Sequence, residues 1–134
     1  MARLKVDLVT PERRVLAADA DEVIAPGAEG LFGVRAGHTP YLAVMQAGPL
    51  TVREGTASQR FFVSGGFVEV GDDAVRVLAD SAEQLEGIDL EGAKKRVAEA
   101  EKKLAELSPS LPAYAAQQQL LRREKARLDV ASKR

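Results

Sequence analysis

One histidine, His38, and no cysteine make up the nucleophile and soft-ligand inventory of this 134-residue chain. His38 stands between Gly37 and Thr39-Pro40 in a glycine-rich stretch, where an imidazole acts as a general base only if other groups converge on it. A lone loop histidine more commonly serves as a surface or hydrogen-bonding residue. No second His or Cys is present to build a conventional metal site, so none is expected. Carboxylates are scattered singly, apart from Asp19/Asp21/Glu22 and Asp72-Asp73, and the latter pair falls where a hairpin turn is expected. The glycines at 27, 30, 33 and 37 lack the Lys-Ser/Thr ending that would neutralise and coordinate a polyphosphate, so they form no P-loop. These residues argue against an enzyme and against a resident cofactor.

The same glycine loop has a mechanical reading. Gly27, Gly30, Gly33 and Gly37 permit sharp bends, and Leu31 and Phe32 are either core residues or apolar groups presented at a loop tip, ringed by Glu29, Arg35 and His38. A second chemical feature lies at the other end. Between Pro112 and the C-terminus stand Arg122, Arg123, Lys125, Arg127, Lys133 and Arg134, opposed only by Glu124 and Asp129. They are either a solvated helix face or a surface for an acidic partner. The formal net charge of −1 conceals this, because residues 1–85 carry eight Lys/Arg against twelve Asp/Glu and the remainder eleven against eight.

Short strands must position the loop. Leu4, Val6 and Leu8 alternate with Lys5 and Asp7, the period of a strand with one buried face. Runs at 15–17, 22–25, 31–34, 41–46, 50–53, 60–63, 67–70 and 75–78 repeat the theme between turn signals such as Pro26-Gly27, Gly48-Pro49 and Gly65-Gly66. With no helical pattern between them, they predict an antiparallel β-sandwich or barrel. After Ser81 the period changes. Leu90, Ala93, Val97, Ala100, Leu104 and Leu107 form one stripe of an α-helix, with Asp89 as its N-cap. Ser108-Pro-Ser-Leu-Pro112 stops it, and Ser110 and Pro112 suit the start of a second, antiparallel helix. On that helix the stripe Tyr114, Gln117, Leu121, Glu124, Leu128, Ala131 is interrupted by two polar residues, so it packs weakly and can let go. The fold class is α+β, with about ten short strands in residues 1–85 and a helical hairpin in 86–134.

The order of the motifs, from Val6-Asp-Leu-Val-Thr-Pro-Glu-Arg13 through the glycine loop and Gly65-Gly66-Phe67-Val68-Glu69-Val70 to the basic last helix, resembles the epsilon subunits of F-type ATP synthases. The resemblance spans nearly the whole chain. It implies a non-catalytic rotor subunit whose partners are the gamma subunit, the c-ring and the alpha/beta catalytic head. It implies attachment to the cytoplasmic face of the inner membrane only through that complex. By the same resemblance Glu29, Gly30, Leu31, Phe32 and His38 meet the c-ring, while Arg122, Arg123, Lys125 and Arg127 meet acidic segments of the beta subunits and impede ATP hydrolysis. Some members bind ATP through Ile/Leu-Asp-x-x-Arg-Ala. Here Ile88, Asp89 and Ala93 keep the pattern but Gly92 replaces the arginine, which removes a planar cationic donor, so ATP binding is expected to be weak or absent.

The competing reading is a free-standing β-sandwich binding module with a coiled-coil dimerising tail seeded by the first helix's stripe. Nucleic-acid binding is disfavoured because the basic tail has a single aromatic, Tyr114, and the whole chain is nearly neutral. No apolar run is long enough to cross a bilayer and the N-terminus lacks a signal-peptide core, so the chain is expected to be soluble and to remain inside the cell.

Overall fold

The computed structural model describes residues 3–133; Arg134, the last of the terminal basic residues, lies outside the described residues. Two compact units divide the chain, Met1–Leu85 and Glu86–Arg134. The first contains ten strands: β1 Leu4–Val9, β2 Arg14–Ala20, β3 Glu22–Gly27, β4 Gly30–Arg35, β5 Tyr41–Met45, β6 Gly48–Glu54, β7 Ala57–Val63, β8 Gly66–Gly71, β9 Ala74–Ala79 and β10 Ala82–Gln84. Their order is β10-β7-β6-β3-β5-β8-β9-β1-β2, with β4 paired to β3 off this path. The sheet folds over a single core because successive side chains point to opposite faces. Leu4, Val6 and Leu8 of β1 are buried, and so are Val75, Val77 and Ala79 of β9, while Lys5 and Arg76 between them are exposed. Leu50, Phe61, Val63 and Val68 complete the same cluster from other strands.

Two details depart from the expectation of simple antiparallel strands. β1 pairs antiparallel with β2 on one side but parallel with β9 on the other, Val6 registering with Val75 and Leu8 with Val77. β10, which lacks a period of its own in sequence, pairs with the last residues of β7.

The turns carry their own chemistry. Asp72 and Asp73 occupy left-handed backbone, φ 51° and 54°, at the tip between β8 and β9. Short polar side chains tolerate that conformation better than most. The Asp73 carboxylate accepts the Gly37 backbone N–H at 2.7 Å, which ties the turn to the loop preceding His38. On the far side of β3, Glu22 accepts from Arg35 Nε at 3.2 Å and from Arg53 Nε at 3.4 Å, its cross-strand partners in β4 and β6. Arg35 beside it, with Arg53, holds the Glu22 carboxyl below the usual glutamate range, against the opposing effect of partial burial.

The second unit is two helices, α1 Leu90–Ala105 and α2 Pro112–Ser132, preceded by a 3-10 turn at Leu85–Gly87. Asp89 is the N-cap of α1 with extended backbone, yet its carboxylate makes no capping bond. The N-cap of α2 is Leu111 and not Ser110, whose hydroxyl instead bonds Ser108 Oγ at 2.9 Å. Pro112 opens that helix, where its fixed φ and missing donor cost nothing. Val97, Ala100 and Leu121 are buried between the helices, with Leu104 and Leu128 partly buried against them. Burying a large aliphatic side chain contributes about 1.5–3 kcal/mol, and so short a seam leaves little once the ordering of both helices is offset.

Candidate interaction surfaces

The tight end of the β3–β4 hairpin presents the glycine loop. Gly27 registers with Gly30, leaving Ala28 and Glu29 at the tip, and Gly30 sits at φ 129°, a conformation that L side chains rarely adopt. β4 then leads Leu31 outward, where it is 63% exposed. Phe32, on the opposite face of the strand, is half-buried and meets Tyr41 edge-on with ring centroids 5.5 Å apart. His38 lies across the same tyrosine at 6.1 Å and its Nδ1 donates to the Thr39 carbonyl at 2.7 Å. Leu31, Phe32, Tyr41, Leu42 and Val44 line an open groove of 420 Å³. Glu29, Gly30, Leu31 and Phe32 thus share one hairpin, and His38 joins them through Tyr41.

That groove runs into a feature that sequence reasoning missed. On the outer face of the sheet Val44 faces Phe67, Phe67 faces Leu78, and Leu78 registers with Val9. Directly paired residues lie on one face, so these four form a continuous row across β5, β8, β9 and β1. Val44 is 56% exposed and Phe67 51%. Phe67 and Leu78 also line, with Val9, Thr10 and Pro11, a second open groove of 320 Å³. The neighbouring row, Leu42, Glu69, Arg76 and Asp7, is mostly polar and borders it. The signal was present in the unbroken apolar runs 41–45 and 77–79, which put hydrophobic side chains on both faces of their strands. An apolar row rimmed by charge has the composition of a protein contact surface.

On α2, Arg122, Arg123 and Lys125 are exposed, whereas Arg127 is partly withdrawn beside the buried Glu124. The nucleotide-motif residues do not converge on an open cationic site. Ile88 and Ala93 are buried, and Asp89 is exposed with its carboxylate where a Gly92 side chain would begin, 2.7 Å from an ideal Cβ. Among the described residues, no helix is long and apolar enough to cross a membrane.

A family model described as the ATP synthase delta/epsilon chain, beta-sandwich domain, matches residues 3–85. A protein of Myxococcus xanthus named ATP synthase epsilon chain is 51% identical over 132 residues, spanning 98% of this chain and 97% of the relative. A protein of Moorella thermoacetica with the same name is 46% identical, over 98% of each chain. Among solved structures, a chain of the Euglena gracilis mitochondrial ATP synthase, in an assembly of OSCP, F1 and c-ring, superposes with a TM-score of 0.81 at 26% identity, covering 94% of this chain and 79% of that one.

Proposed function

The chain belongs to the ATP synthase epsilon-chain family, and from that membership we propose how its two units share the work of a central-stalk subunit. It is a non-catalytic part of the synthase, turning with the gamma subunit and the c-ring beneath the alpha/beta head. The observation that carries the division of labour is the apolar row Val44–Phe67–Leu78–Val9, continuous with the groove below Leu31. Its outer face supplies the seat for gamma. The glycine-loop edge, with Glu29, Gly30, Leu31, Phe32 and His38, meets the polar loops of the c-ring. Attachment to the membrane is peripheral and runs through the complex, on its cytoplasmic face.

The helical unit is a brake on ATP hydrolysis. Arg122, Arg123, Lys125 and Arg127 meet acidic segments of the beta subunits when α2 leaves α1, and the short seam supports this reading because little apolar area opposes separation. ATPase activity of the assembled head is the test, comparing the full chain with a chain ending at Glu86. Higher activity with the shortened chain is expected; equal activities would leave the protein a structural coupler. Nucleotide does not set the position of the helices, because Gly92 stands where the motif's arginine would donate to phosphate. Calorimetric titration of the chain with Mg-ATP is expected to show no binding in the micromolar range.

A further inference from the structure

The middle of the hairpin seam holds a carboxylate. Leu121 and Leu128 of α2 pack with Val97, Ala100 and Leu104 of α1, and Gln117 Nε2 donates to the Ala100 carbonyl at 3.4 Å. Between Leu121 and Leu128, one turn from each, stands Glu124, only 6% exposed. A buried charge is tolerated where close hydrogen bonds replace its water. Glu124 lacks them. Arg123 Nη2 is 3.8 Å from Oε1 and Arg127 Nη1 is 3.9 Å from Oε2, both beyond hydrogen-bond reach. Oε2 is buried with no hydrogen-bond partner among the described residues. The carboxylate borders a groove between the helices that Arg96, Glu99 and Lys103 line from α1, with Gln117 and Leu120 from α2.

The desolvation cost therefore falls on the closed hairpin, since parting the helices returns the Glu124 carboxylate to water. We propose that Glu124 is a release element, a charge placed in the seam that weakens the α1–α2 hairpin and sets how often α2 comes free. Its consequence for the enzyme rests on the brake described above; its effect on the hairpin does not. A polar residue at one seam position, lowering stability while keeping two helices in register, is a known use of such groups.

Amide hydrogen exchange of the isolated full chain at fixed pH provides the test, with the sheet amides as internal reference. Glu124→Leu is expected to slow exchange along α2 by roughly 10-fold or more, and Glu124→Gln by a smaller factor. Unchanged or faster α2 exchange in Glu124→Leu, with sheet protection intact, would overturn the proposal. Should the leucine variant self-associate, Glu124→Gln decides alone, and exchange no slower than in the parent chain refutes it. The same variants in the assembled head separate the two readings. Slower exchange with weaker inhibition of ATP hydrolysis supports both, whereas slower exchange with undiminished inhibition keeps the release element and removes release of α2 as the source of the inhibition.

Discussion

Gly66 marks the place where two strands approach too closely for any side chain. An ideal Cβ there would lie 2.0 Å from the Leu78 carbonyl oxygen, and the backbone φ is +127°. Gly66→Ala is expected to lower stability by about 2–4 kcal/mol, since the backbones of β8 and β9 must separate under the core. Gly55→Ala is the control. Gly55 has φ +60° with nothing within 4 Å, so only the left-handed conformation is penalised, at about 1 kcal/mol. Urea unfolding followed through the sheet's circular dichroism compares them. Gly66 reads in sequence as a turn signal, and nothing local distinguishes a glycine that faces a carbonyl from one, such as Gly55, that faces open space. Glu22 gives a prediction in pH. Its folded pKa is lowered by Arg35 and Arg53, so its stabilisation is complete above the unfolded value of about 4.3 and disappears as pH falls through the lower folded value. The stability difference between the parent chain and Glu22→Gln should therefore be largest near neutrality and vanish in acid, as unfolding midpoints at pH 7 and pH 3 would show. A constant difference would mean that the carboxylate's charge is irrelevant.

Elements were legible where a period could be counted. The stripe from Ala93 to Leu104 and the polar interruptions at Gln117 and Glu124 follow from three-and-four spacing alone, and the structure buries Ala93, Val97 and Ala100 and half-buries Leu104. Caps were less legible: Ser110 bonds Ser108 in place of a helix N–H, and Asp89 takes the N-cap position without a capping bond. β10 escaped because three residues cannot display a period, and only its ladder with β7 makes it a strand. At this scale the basic face of α2 makes its own prediction. Each exposed ion pair contributes about 0.2–1 kcal/mol, so neutralising Arg122, Arg123 and Lys125 one after another should weaken inhibition by roughly 1.5- to 5-fold per step. Titrating the head complex with each variant and recording ATPase activity checks this. Complete loss from one substitution would point instead to a single buried contact.

In the molecule as a whole, the row from Val44 to Val9 exists only because β5, β8, β9 and β1 are neighbours. Sequence reveals that a strand has two apolar faces, but which strands stand side by side is a matter of topology. For the same reason the parallel ladder between β1 and β9 was not legible, while the sandwich itself was. Phe67→Asp is expected to reduce affinity for gamma by roughly 30-fold or more, since half-exposed aromatics are frequent anchors of such surfaces. Calorimetry against purified gamma measures it, with an unchanged circular dichroism spectrum as the control for folding. Undiminished affinity would move the interface off this face. The parallel ladder has a further consequence, for how the chain is made. Within this sheet β1 leaves the ribosome before the other strands, yet one of its two neighbours, Ala74–Ala79, is among the last to emerge. Until then the nascent β1–β2 pair carries a bare edge and an uncovered oily face, the condition under which strands join the wrong chain. Synthesis of this small subunit thus passes through a long interval in which its opening residues must be shielded from their surroundings.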